Sequence, residues 1–169
     1  LILIMSDIKI IDNLLDKDAF TSLQSFILGD DFAWHFNEYI DYANEEKDKF
    51  QFTHSFYKYN QPYSAHYEVL NPILATFRPQ TFALVRIKAN LLTRTPKIVV
   101  NDYHVDHDKK NWNTSIFYIN TNNGYTEFKD GTIISSVANR LITFPSEMAH
   151  RGTSCTDEKT RVVINFNWV

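Results

Sequence analysis

The final segment of the chain constrains its fold more than any other stretch. From Thr160 to Val169 the residues alternate: Val162, Ile164, Phe166 and Trp168 fall on one face of an extended strand, and Arg161, Val163, Asn165 and Asn167 fall on the other. The first face is uniformly apolar and must pack. The second is largely polar and must line a cavity or meet water. Other strand-like runs precede it: Phe82 to Leu92, Ile98 to Val100, Thr114 to Thr121, Tyr125 to Phe128, Thr132 to Val137 and Arg140 to Phe144. Asn122-Asn123-Gly124 and Lys129-Asp130-Gly131 separate three of these runs and read as tight hairpin turns.

The first half reads differently. Asn13 to Leu28 carries apolar residues near helical spacing, with Gly29 where a helix-ending glycine belongs. Tyr67 to Phe77, stopped by Pro79, reads as a second helix. The acidic run around Glu45, Glu46 and Asp48 reads as a solvated loop. Leu1 to Met5 lacks the features of a secretory leader and is too short to span a membrane, so Ser6 to Ile11 is expected to be the first native strand. Helices followed by antiparallel strands define an α+β chain built around a barrel or sandwich. Residues 1–169 are expected to form one domain, with helical support over 1–80 and the strand core over 81–169.

Composition removes several function classes. With only 4 glycines in 169 residues, the chain has neither a dinucleotide-binding glycine fingerprint nor a phosphate loop. A net charge of -3 offers no basic footprint for nucleic acid, and the lone Cys155 excludes cysteine-based zinc modules and internal disulfides. A single cysteine suits a reducing compartment, so a cytoplasmic location is expected.

The chemistry-bearing residues lie in the strand-rich half. In an extended segment, His104 and Asp106 point to the same side. One further imidazole would complete a two-histidine, one-carboxylate triad, which leaves half of an octahedral metal's positions open. With 6 histidines in the chain, chance supplies about 0.5 His-x-Asp pairs, and a polar loop is the better explanation of the bare pair. Spacing adds to it: His150 follows the Leu141 to Pro145 strand, and Arg161 lies on the polar face of the last strand, where a guanidinium could clamp a carboxylate.

Together, Tyr103-His104-Val105-Asp106, Thr114 to Asn120, Leu141 to Pro145 leading to His150, and Arg161 to Trp168 resemble the prolyl-4-hydroxylase-like branch of the Fe(II)/2-oxoglutarate-dependent dioxygenases. The likeness spans roughly Phe82 to Trp168 and is closest in impression to small bacterial or phage forms. It implies a double-stranded β-helix, or jelly roll, with the N-terminal helices packed on one sheet. It implies that His104, Asp106 and His150 bind Fe(II) and that Arg161 pairs with the far carboxylate of 2-oxoglutarate. Tyr118 falls where a tyrosine hydroxyl meets that carboxylate, and Asn165 where a polar side chain bonds the cosubstrate. The implied reaction consumes O2, releases succinate and CO2, is supported by ascorbate, and hydroxylates a prolyl-type peptide or a small molecule. The competing expectation is a jelly roll holding another metal, as an isomerase or hydrolase, or a silent binding module. Arg86 and Lys88, on a strand entering this region, are candidate substrate contacts, and Phe50, Phe52, Phe56, Tyr57, Tyr59 and Tyr63 a candidate lid. His35, His54, His66 and His107 read as surface or core histidines.

Overall fold

The computed structural model describes residues 2–5, 7–40, 49–77 and 83–169. Its first half holds strands β1 (Ile2–Met5) and β2 (Ile8–Ile11), helix α1 (Lys17–Ile27), then β3 (His35–Asn37), β4 (Gln51–Lys58) and β5 (Gln61–Pro62). A single 3₁₀ turn, Tyr67–Leu70, runs into helix α2 (Asn71–Phe77). The second half is all strand: β6 (Leu84–Thr93), β7 (Asn113–Tyr118), β8 (Tyr125–Phe128) and β9 (Ile133–Ser135). It ends with β10 (Arg140–Pro145), β11 (His150–Gly152) and β12 (Thr160–Trp168).

Two sheets result, a nine-stranded one in the order β1-β2-β10-β7-β12-β6-β4-β3 with β5 paired to β4, and a three-stranded one in the order β11-β8-β9. Strand β12 lies at the centre of the large sheet, between β7 and β6. Its alternation organises the layers. Val162, Ile164, Phe166 and Trp168 join a core with Phe117 of β7, Ile87 of β6, and Leu23 and Ile27 of α1. Phe20 of α1 meets Phe117 edge-on, and Phe77 of α2 stacks on Trp168. On the other side Val163 joins Ile116, Tyr118, Ile142 and Phe144 against Phe128 and Ile134 of the small sheet. The polar face of β12 is therefore not a wet surface: Arg161, Asn165 and Asn167 are all buried. This is a jelly-roll-like arrangement of two facing sheets.

Several expectations need correction. Residues 1–80 are not mainly helical support, because β1 to β5 extend the large sheet at both edges. The first helix starts later than Asn13, because Asp16 caps it by accepting a hydrogen bond from the Ala19 amide. Ile2–Met5 forms a strand antiparallel to Ile8–Ile11, so the fold does not begin at Ser6. Ile98 to Val100 makes only a bridge, Val100 to Thr153. The acidic run at Glu45, Glu46 and Asp48 lies outside the described residues, as do Pro79 and Phe82.

The two glycine turns behave differently. Lys129-Asp130-Gly131 does close a hairpin, between β8 and β9, with Gly131 at a φ of 91°. Asn122-Asn123-Gly124 instead carries the chain from the large sheet to the small one, and β7 and β8 do not pair. No helix is long and apolar enough to cross a membrane among the described residues.

Candidate metal and carboxylate site

The open face between the sheets forms a cavity of about 640 Å³, counting the space at its mouth. Alternate residues of β6 point into it: Arg86, Lys88, Asn90 and Leu92. His104, Asp106, His150, Arg161 and Asn165 line it as well, so residues far apart in the chain meet there as the spacing implied.

His104 and His150 stand directly opposite one another. The segment carrying His104 runs antiparallel to β11, and each of the two residues donates its amide to the other's carbonyl at 2.9 Å. Their rings lie 4.5 Å apart between centroids. One donor atom from each of His104, Asp106 and His150 falls within 4.8 Å of the others. Nδ1 of His150 is 3.0 Å from the Met148 carbonyl, which can only accept, so Nδ1 donates there and Nε2 is the ring nitrogen left to the cavity. Nε2 lies 3.8 Å from Oδ2 of Asp106.

Asp106 is buried, yet it remains ionised. Burial pushes its pKa up, but His150, the Arg86 guanidinium, the Asn165 amide and His104 outweigh this and hold it at about 2. Arg86 donates to Oδ1 at 3.1 Å, while Thr114 and Asn165 donate to Oδ2 at 2.9 Å and 3.0 Å. For His104, burial outweighs the pull of Asp106 and lowers the pKa, which favours the neutral imidazole that ligates metals. Two imidazoles and one anionic carboxylate on one side of a cavity suit a divalent first-row metal with open positions.

Deeper in the cavity lies Arg161, 4% exposed. Its Nε donates to Ser136 and its Nη2 to Thr126, at 2.9 Å and 3.1 Å. Both partners are neutral hydroxyls, burial lowers the pKa of the guanidinium, and no carboxylate pairs with it among the described residues. The guanidinium also lies over the Tyr118 ring, 5.8 Å from its centroid, and a buried cation held by hydroxyls and a ring can pair with an anion. Gly124 permits this placement by close approach: a Cβ there would lie 2.6 Å from Cδ of Arg161 and 2.6 Å from the Ser154 carbonyl. Gly152 borders the same side chain, with a Cβ position 3.4 Å from Nη1.

Tyr118 and Asn165 are placed differently from the rest. Tyr118 is fully buried, does not line the cavity, and donates its hydroxyl to Thr126 at 2.9 Å. Thr126 thus stands between Tyr118 and Arg161. Asn165 lines the cavity, but its amide nitrogen serves Asp106. Sequence reasoning missed Thr114, Thr126, Ser136 and Asn167, whose polar side chains on strands carry no motif of their own.

None of the six aromatics considered as a lid lines the cavity. Phe56 is in the core, Phe50 and Phe52 cluster with Phe36, and Tyr59 and Tyr63 flank Lys58. His54 is held by the Ala33 carbonyl and Ser64, and the His107 ring lies tilted against Trp112.

No family model matches the chain, and no curated protein matches it in sequence. Solved structures do. The viral collagen prolyl hydroxylase of Paramecium bursaria Chlorella virus-1, in complex with 2-oxoglutarate, has a TM-score of 0.64 at 13% identity over 96% of each chain. A prolyl hydroxylase of Trichoplax adhaerens, bound to a hypoxia-inducible factor peptide, has a TM-score of 0.66 at 11% identity, covering 97% of this chain and 84% of that one. The α-ketoglutarate-dependent epimerase SnoN of nogalamycin biosynthesis has a TM-score of 0.67 at 8% identity, covering 96% and 77%. The chain has the fold of the 2-oxoglutarate- and Fe(II)-dependent oxygenases, prolyl hydroxylases among them.

Proposed function

We propose that this chain is an Fe(II)- and 2-oxoglutarate-dependent oxygenase that hydroxylates a prolyl-type peptide or a small molecule. One observation carries the reading: a His-Asp-His donor cluster shares a cavity with a buried arginine that donates its hydrogen bonds to hydroxyls, with no carboxylate paired to it among the described residues. An isomerase or hydrolase using another metal has no need of that arginine.

His104, Asp106 and His150 would hold the iron, with His150 presenting Nε2 and Asp106 contributing a permanent negative charge. The metal supplies the oxidative chemistry, in which 2-oxoglutarate and O2 give succinate, CO2 and a hydroxylated product. Arg161 binds and orients the far carboxylate of the cosubstrate, and Ser136 and Thr126 hold the guanidinium in place. Tyr118 acts through Thr126 rather than on the carboxylate. Asn165 fixes Asp106, and its buried Oδ1, which has no partner in the structure, is the atom it can offer to a bound group. The apolar Leu92, Ile116 and Val163 shield the cosubstrate's methylene carbons from water. We assign residues 1–169 to one double-stranded β-helix domain with the helices on the outer side of its large sheet. The buried free thiol of Cys155 fits a reducing, cytoplasmic setting.

The test is succinate formation from 2-oxoglutarate with Fe(II), O2 and ascorbate. The wild-type chain is expected to turn over the cosubstrate, and Asp106→Ala to lose it by at least about a hundredfold, at the upper end of what disturbing a metal shell causes. Turnover that persists in Asp106→Ala would refute the assigned metal ligands.

A further inference from the structure

The cavity wall carries a second guanidinium at the end opposite Arg161. In the register of β12 with β6, Arg161 faces Leu92 and Asn167 faces Arg86. These two pairings are six positions apart on β12, about 20 Å along the wall. Arg161 is 4% exposed, whereas the Arg86 side chain is 39% exposed and lines the cavity. A molecule that enters once the inner end is filled meets Arg86.

A guanidinium carries five N–H donors. Two of those on Arg86 go to buried partners: Nε donates to Oδ1 of Asn167 at 2.9 Å and Nη2 to Oδ1 of Asp106 at 3.1 Å. Asn167 is buried, and so is the Asp106 side chain, so the plane of the guanidinium is fixed. Both donors on Nη1 and the second on Nη2 have no acceptor among the described residues.

Charge decides what those donors suit. With a divalent ion and 2-oxoglutarate in place, the ion's charge matches that of the cosubstrate, and Asp106 matches Arg161. Among these groups the charge of Arg86 is left over. A carboxylate supplies one negative charge and two oxygens that fit the planar fork. We propose that Arg86 is a substrate-binding residue and that the substrate it selects carries a carboxylate. The proposal rests on the oxygenase reading and narrows its substrate class. Because Nη2 reaches Asp106, a carboxylate on the same guanidinium lies beside the metal position. The carbon that is oxidised is therefore a close neighbour of that carboxylate.

The experiment uses acetate, a minimal carboxylate with protons to observe, and acetamide, its neutral counterpart. Each is titrated into the chain saturated with Mn(II) and 2-oxoglutarate. Nearby Mn(II) speeds the relaxation of the probe's methyl protons, which reports binding beside the metal. Acetate is expected to bind the wild-type chain saturably, and acetamide at least about tenfold more weakly. Arg86→Leu is expected to lose about 10- to 100-fold in acetate affinity, the range for a hydrogen bond to a charged group. Arg86→Lys, which keeps the cation but not the fork, is expected to recover part of that loss. Electron paramagnetic resonance and circular dichroism check that each variant is loaded and folded. N-acetyl-L-proline, a small acid, and N-acetyl-L-prolyl-L-aspartic acid α-amide, with a peptide side-chain carboxylate, follow in the same assay. The tighter of the two identifies the source of the carboxylate. Equal binding of acetate and acetamide to the wild-type chain overturns the proposal without any variant. Acetate binding that survives Arg86→Leu overturns it as well, because the probe then sits on the metal. A wild-type chain that binds 2-oxoglutarate but no acetate refutes the proposal alone, whereas one that binds no 2-oxoglutarate with Mn(II) present refutes the oxygenase reading.

Discussion

Arg161 is a buried charge held by two hydroxyls and an aromatic ring. Its guanidinium sits at the inner end of the cavity on Ser136 and Thr126, and a glycine at position 124 makes room for its stem. Hydrogen bonds to charged groups contribute about 1.5–3 kcal/mol each. Arg161→Gln is therefore expected to weaken 2-oxoglutarate binding by about 10- to 100-fold, while Mn(II) binding, which depends on His104, Asp106 and His150, stays unchanged. Calorimetry with each ligand distinguishes the two. Equal affinity of Arg161→Gln and wild type for 2-oxoglutarate would remove Arg161 from the site. The type of side chain makes Arg161 identifiable in the sequence, because it is the charged residue on a strand whose other residues are all uncharged. Thr126, Ser136 and Thr114 did not stand out, since hydroxyls on strands are common and only their neighbours reveal a role.

At the scale of elements, alternation was readable where one face is purely apolar. Strands β6 and β12 follow it; β10 mixes Arg140 or Thr143 into each face, and all three lie within a few residues of the sequence expectation. Strand β4 was not anticipated, because its buried positions include Gln51 and His54 as well as Phe56, which breaks the apolar period. Strand β11 has three residues, too few for any period. The Asn-Gly signal at 123–124 was misread as a hairpin because local turn chemistry cannot tell a hairpin from a crossing between sheets. Elements are also joined by side chains distant in sequence. Asn139, at a φ of 63°, accepts from the Leu15 amide at 3.0 Å and donates to the Leu15 carbonyl at 2.8 Å, tying the start of β10 to the approach to α1. Asn139→Ala leaves both buried backbone groups unpaired and places alanine in the left-handed region. A loss of about 2–4 kcal/mol is expected, measured by urea denaturation. A loss below the error of that measurement would show that water replaces the amide.

For the whole molecule, the large sheet separates two cores, one shared with the helices and one with the small sheet. The cavity opens within the second, bordered by the His104 segment and β11 on one side and β6 and β12 on the other. A metal and a dicarboxylate bound there would tie both sheets together, since His150 belongs to the small sheet and Arg161 to the large one. Ligands that bind only the folded state stabilise it by about 2.7 kcal/mol at a hundred times their Kd. Thermal unfolding is therefore expected several degrees higher with Ni(II) and 2-oxoglutarate together, and the gain should vanish with a chelator. An unchanged Tm under saturating conditions would count against a site bridging the sheets. By itself the sequence determined the alternating strands, the pairing of His104 with Asp106 on one side, and the presence of His150 and Arg161 at suggestive distances along the chain, because periodicity and side-chain type are local properties. Only the tertiary structure decided that β1 to β5 widen the sheet, that the Tyr118 hydroxyl bonds Thr126, and that Arg86, Thr114 and Asn165 bond Asp106. Those facts depend on which strands become neighbours and in what register, and register is settled by packing across the sheet rather than by any one strand's residues.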